Sequence, residues 1–332
     1  MMRYGAKIGL SVLVLSVPAV AAVVISLAVG TAPIGLMDVV RAFFSPDRVS
    51  PEVMMIVRDL RLPRVLMALA AGGALSVSGV VFQAILKNPL ADPFILGVSS
   101  GAALGTVIGA LVIRVPSYVV GALPAFVGAL TTILIVFYVA RIKERLYPNT
   151  MLLVGVIINA FFSAAIMAIV SLFRSNGLQG IFFWLMGDLS LVSMTEVAVV
   201  SSVFLAGSIV VFYYARPMNL LLFGEESAAS GGVDVERTKR VLFVAASFMT
   251  AAVVSAAGVI GFVGLIIPHM IRMVLGPDHR VLIPASILLG GTFLLLSDTV
   301  ARTVVSPMEL PVGVLTALLG APFFVYLLRR QM

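Results

Sequence analysis

The chain has no cysteine, which excludes disulfides and thiolate metal sites. Its two histidines are too few for a His-rich metal site. No G-x-x-x-x-G-K-[ST] segment occurs, so the chain does not itself bind nucleotide through a phosphate-cradling loop and lacks an ATPase motif. Only 11% of the 332 residues are charged, where a soluble domain carries roughly 25%. So few charges could not cover a water-facing surface. The acids that interrupt the apolar runs, Asp92, Asp188, Glu196 and Asp298, sit at run ends. Ion-driven carriers hold Asp, Glu or His inside the membrane as ion or proton sites. Their scarcity here disfavours proton or sodium coupling, and a transporter without a visible energy source borrows one from a partner.

What remains is apolar. Hydrophobic residues make up 61% of the chain and the mean hydropathy is +1.16. Runs of about 20 apolar residues recur without period-two alternation, so the spans are helical. Ten are expected, near 8–29, 64–85, 93–113, 118–140, 150–173, 195–215, 240–258, 260–275, 281–300 and 311–328. The fold class is therefore an all-α integral membrane protein of about ten transmembrane helices. The run from Ile8 to Val29, after Arg3 and Lys7, exceeds the ~7–15 residues of a signal-peptide core and reads as a retained first span. The net charge of +7 reads as membrane orientation, not nucleic-acid binding. Ten spans with the N-terminus inside put most Lys and Arg on inner segments, among them Lys87, Arg141, Lys143, Arg145, Lys239 and Arg280. The outer basic residues are fewer. Arg41, Arg48, Arg58, Arg61 and Arg64 share one long segment, joined by Arg114, Arg174 and Arg302. Both termini are thus expected in the cytoplasm.

Local patterns add detail. Residues 86–93 form a polar, proline-broken turn in which Pro89 and Pro93 cannot continue a helix and Asp92 is placed to cap the third span. Gly97, Gly101, Gly105 and Gly109 follow at spacing four, which predicts one bare helix face for close packing. Residues 30–63 form an outer connection with a partly amphipathic stretch from Val53 to Leu60, and 174–194 an outer loop with an apolar insert from Ile181 to Met186. The largest inner loop, 216–239, exposes Leu220, Leu221, Leu222 and Phe223, an apolar patch that suits docking. Arg58, Arg61 and Arg64 recur at spacing three on the outer side, against the positive-inside trend. With Arg302 they read as a docking surface for an acidic partner. Trp184 in the outer insert is either an interface anchor or a substrate contact. His269 reads as a helix-to-helix hydrogen bond.

Six ordered motifs carry a family resemblance: Leu60 to Arg64; Gly79 to Gln83 leading to Asn88–Gly97; Trp184 to Gly187; Gly224-Glu225 to Gly231; Gly258 to His269; and Glu309 to Gly313 with Gly320-Ala321-Pro322. From residue 58 onward the chain resembles the FecCD family of ABC transporter permeases, importers of ferric siderophores, haem and cobalamin. The resemblance implies a type II importer architecture and one transmembrane permease domain over 1–332, with a coupling loop at about 216–239. It implies a homodimer with the path between two copies, two ABC ATPase subunits inside, and a periplasmic or lipid-anchored binding protein outside. The surroundings are the lipid of a bacterial inner membrane. ATP and Mg belong to the ATPase, and no cofactor or metal is bound by this chain, since the metal travels inside its chelate.

By the same resemblance, the ATPase-coupling residues are Leu221, Leu222, Gly224, Glu225, Ala228, Gly231 and Gly232. The second glycine, Gly232, makes the coupling helix looser. Arg61, Arg64 and Arg302 dock the binding protein by the resemblance, and Arg58 is added to them from the outer arginine cluster. The resemblance places the inner gate near Asn88 and near Asn149 and Thr150; Pro89, beside Asn88, and Trp184, as the candidate substrate contact, are counted with the gate and path. Ferric siderophore is the expected cargo on breadth of family use, with cobalamin and haem behind it. The alternatives are an ion-coupled secondary transporter of a small organic solute and a membrane scaffold that moves nothing.

Overall fold

The structure, a computed structural model, describes residues 2–111, 122–142, 145–172 and 184–331. Arg114, Lys143, Arg174 and the start of the apolar insert at Ile181 lie outside the described residues.

Among these residues, ten helices match the ten expected spans. The first is α1 (Met2–Ala28), followed by the short outer helix α2 (Leu36–Phe44). α3 (Pro51–Met55) runs through a π-helical turn at Ile56–Arg61 directly into α4 (Leu62–Ile85). The outer stretch expected as a separate amphipathic segment is therefore the outer extension of the second span, 35 residues in all. Then come α5 (Val98–Leu111), α6 (Ala122–Ala140), α7 (Pro148–Leu172) and α8 (Met194–Tyr213). Two short inner helices follow, α9 (Ala215–Leu221) and α10 (Glu225–Ser230). The chain closes with α11 (Val235–Ala257), α12 (Val263–Leu275), α13 (His279–Ala301) and α14 (Val312–Gln331). A two-residue antiparallel pair, Arg141–Ile142 with Arg145–Leu146, joins α6 to α7.

α4 is the centre of the bundle. Most of its residues are buried, and it packs against α8, α11, α12 and α13. The sequence explains why. From Ala68 to Gly79 it is dominated by Ala, Gly and Ser, so neighbouring backbones come close. A Cβ at Gly72 would fall on the Gly290 carbonyl of α13, and one at Gly79 on the Gly264 carbonyl of α12. Ser78 Oγ donates to Ala246 O of α11 at 3.0 Å. The α5–α6 contact works similarly: Gly101 and Gly105 meet Gly128 and the Pro124 carbonyl. Gly97 does not belong to that face. It sits before α5 with φ 77°, ending a 3-10 turn at Pro93–Leu96. Asp92 caps this turn, through Phe94 N at 2.8 Å, and not the span itself.

The eighth span is broken. α12 has 13 residues, about 20 Å of helix, short of the ~30 Å apolar thickness of a bilayer. Residues 258–262 before it are non-helical, and Phe262 packs on Gly320, partway along α14. Irregular backbone within the bundle needs internal partners. Asp188 N donates to Ala257 O at 2.9 Å. Pro268 has no N–H, so the Gly264 carbonyl lacks its helical donor; Gln83 Nε2 supplies one at 3.2 Å.

Gly79→Ala is expected to destabilise the bundle by roughly 1–3 kcal/mol, because a backbone oxygen occupies the place of the new methyl. Gly261→Ala, which meets open space, should stay within about 0.5 kcal/mol. Thermal unfolding in detergent checks this; equal melting of the two variants would refute the packing account.

Candidate functional site

Two ends of the bundle carry the polar chemistry. At the inner end, α9 and α10 form the main inner loop. Gly224, at φ 109°, turns the chain between them. Leu221 and Ala228 face inward, while Leu222 and Phe223 stand exposed, Phe223 at 78%. α10 ends in a tight cap. Gly232 takes φ 83°, its N–H bonds to Ala229 O at 2.9 Å, and Val233 N bonds to Ala228 O at 3.0 Å. This is the Schellman geometry, with glycine at the left-handed position. The double glycine was expected to loosen the helix. It terminates it, because Gly231 closes the last turn and Gly232 alone adopts the left-handed conformation.

α9 is tied to the start of α13. Asn219 Nδ2 donates to Asp278 Oδ1 at 2.7 Å, and Asn219 Oδ1 accepts from His279 N at 2.8 Å. Arg280, the largest influence on Asp278, holds that carboxyl far below the usual carboxylate range. Glu225, the first residue of α10, pairs with Lys87 and Lys239, each at 2.9 Å. Burial opposes its charge, but the hydrogen bonds and charges of the two lysines outweigh burial and hold the carboxyl below its ordinary 4.5. The pairing is therefore complete above that value and is lost only as pH falls through the lowered one.

The turn after α4 lies beside this loop. Asn88 Oδ1 accepts from Leu90 N at 2.9 Å, an Asx turn, and Pro89 is exposed. Gln83 Nε2 also donates to Ala91 O at 3.3 Å, and Gln83 Oε1 accepts from Arg272 at 2.8 Å. Sequence reasoning used Gln83 only as part of a motif and missed this role. Its one sign in the sequence is a lone amide in a largely apolar helix. Asn149 is exposed and Thr150 half-buried in the first turn of α7, reached through the β-pair. Trp184 is half-buried against the core, and its carbonyl closes on Gly258 and accepts from Gly187 N at 3.0 Å. His269 packs edge-on to Phe324.

At the outer end the arginines part ways. Arg61, Arg64 and Arg302 are buried, not presented as a surface. Arg61 donates to the carbonyls of Leu27 and Ala28 at 2.7 and 2.8 Å, capping the end of α1. Arg302 donates to Ser26 O and, at 2.7 Å, to Ser26 Oγ. Arg64 Nε contacts both Asp298 oxygens at 3.0 and 2.9 Å, and Nη1 meets Glu309 at 2.6 Å. Two acids thus offset the outer arginines that broke the charge trend. Arg58 is half-buried, over the Phe43 ring. The three buried arginines line a pocket of about 390 Å³ with Gly30, Ser190 and Glu309.

Comparison with known proteins completes the picture. Residues 18–330 match the family model described as the FecCD transport family. The chain belongs to the FecCD transport family. It is 48% identical over 284 residues to the cobalamin import system permease protein BtuC of Halobacterium salinarum, covering 85% of this chain and 75% of that protein. It is 39% identical to the hemin transport system permease protein HmuU of Yersinia pestis, over 92% of each chain. A solved structure described as an inward-facing metal-chelate type ABC transporter superposes with a TM-score of 0.83 at 32% identity, covering 96% of this chain and 98% of that one. This FecCD protein is a multi-pass inner-membrane permease subunit of an ABC importer, in the type II architecture, and works in a complex with ATPase and substrate-binding partners.

Arg64→Ala is expected to cost about 3–5 kcal/mol, because it strips the main partner from a fully buried Asp298. Arg58→Ala should cost under about 1 kcal/mol. Melting in detergent distinguishes them; a mild Arg64→Ala would show that the outer network does not hold the bundle.

Proposed function

We propose that this chain moves a metal chelate inward and that its inner loop receives the ATPase stroke. The observation that carries the reading is the exposed Leu222-Phe223 edge beside a short helix fixed by a tight turn at each end. Apolar side chains in water invite a partner, and a rigid short helix delivers a push without bending. Leu221, Gly224, Ala228, Gly231 and Gly232 shape that helix, and Glu225 anchors its first turn. ATP and its Mg bind the partner, which performs the hydrolysis.

The path runs between two copies. Supporting this, α7 buries only Met151, Gly155 and Ile158 along 25 residues, leaving a long face for lipid and a second subunit. Asn88 and Pro89, with Asn149 and Thr150, gate its inner mouth, and Trp184 borders its outer side. Scarce charge along the spans keeps the cargo weakly held, as release requires. The binding protein docks on the outer end. There Arg58 is the most exposed of the four arginines, while Arg61, Arg64 and Arg302 keep the docking surface in shape.

The cargo is one of three chelate classes named among the relatives. Breadth of family use favours a ferric siderophore. The 48% identity to a cobalamin permease, against 39% to a hemin permease, favours a corrinoid, and we adopt that reading.

The test is uptake by cells relying on this importer, offered cobalamin, hemin and a ferric siderophore in turn. Cobalamin should accumulate in the wild type. Glu225→Arg combined with Gly231→Asp should reduce uptake to background while leaving the protein folded. Normal uptake by that variant would refute the coupling assignment.

A further inference from the structure

The 86–93 turn is engaged by side chains on both sides. Gln83 fixes its far side through Ala91 O. Its near side is Lys87, at φ 49°, a conformation side-chain-bearing residues rarely adopt. From there an unbroken polar line crosses to the other gate segment. Lys87 Nζ meets one Glu225 oxygen at 2.9 Å, and Lys239 Nζ meets the other at 2.9 Å. Lys239 is 2% exposed and also reaches Glu236 Oε1 at 3.3 Å. Glu236 Oε2 accepts from Leu146 N at 3.0 Å. Leu146 lies in the β-pair two residues before α7 begins.

Both gate segments are therefore tied to the first residue of α10, one directly and one through Lys239 and Glu236. The two ties differ physically. An exposed pair such as Lys87–Glu225 adds little to stability, so its value lies in position. A buried ammonium such as Lys239 cannot be left unpaired without a large penalty, so it follows its carboxylates when they move. We propose that Lys87, Lys239 and Glu236 are positioning residues that carry displacement of α10 to both inner gate segments at once. This rests on the reading of α10 as the ATPase-facing helix.

The test uses the complex of this chain with its ATPase and binding protein in lipid vesicles. ATP hydrolysed and chelate accumulated are measured together, with whichever of cobalamin, hemin and a ferric siderophore the wild type takes up. Lys87→Ala and Glu236→Gln should keep ATPase co-purification and hydrolysis, while uptake per ATP falls about fivefold. In Glu236→Gln, Lys239 keeps Glu225, so the buried amine stays paired. Lys87→Arg should restore the ratio. An unchanged ratio in both variants, or hydrolysis and uptake falling in parallel, would overturn the tie. A wild-type complex that accumulates none of the three would overturn the proposed chelate-import reading, and the tie with it.

Discussion

The rest of the structure depends on how closely helices approach α4. Lipid tails are as apolar as leucine, so burial alone does not draw helices together in a membrane. Shape does. A bare stretch from Ala68 to Gly79 lets α13 and α12 come near enough that a methyl group would strike a carbonyl. Such contacts are not adjustable by side-chain rotation. The helices around α4 therefore shift as bodies or not at all, which suits a machine that converts a push at one end into an opening elsewhere.

Polar groups then set where this rigid packing is allowed to break. Pro268 frees a carbonyl inside α12, and Gln83 answers it from α4 while also holding the 86–93 turn. At the outer end Arg61 and Arg302 satisfy the last carbonyls of α1, and Arg64 joins α4 to α13 and to Glu309. At the inner end Glu225 gathers two lysines from distant segments. In each case one side chain joins several elements.

The ten spans were legible because hydropathy reports length and composition, and those decide what can cross a membrane. The break at 258–262 shows in the sequence only as the shortest of the ten expected spans, 260–275. Hydropathy does not register non-helical backbone whose partners lie far away, and Gln83 is 181 residues from Gly264. The burial of Arg61, Arg64 and Arg302 was hidden for the same reason: Asp298, 234 residues from Arg64, offered no local sign of the pairing. Gly97 fitted a four-residue spacing but serves as a left-handed stop after Pro93–Leu96. Gly232 was open to a correct reading, since a glycine after a short helix is the common left-handed cap. Of the apolar patch expected over Leu220 to Phe223, Leu220, Leu222 and Phe223 are exposed, but Leu221 turns inward, because one side of the short helix α9 packs on the bundle.

The most direct measurement is ATP hydrolysis by the complex of this chain with its ATPase in lipid vesicles, with and without the binding protein loaded with cobalamin, hemin or a ferric siderophore. The account predicts a stable complex whose hydrolysis rises with one loaded chelate. A chain that associates with no ATPase, and whose uptake collapses with an ionophore, would contradict it and restore the ion-coupled carrier.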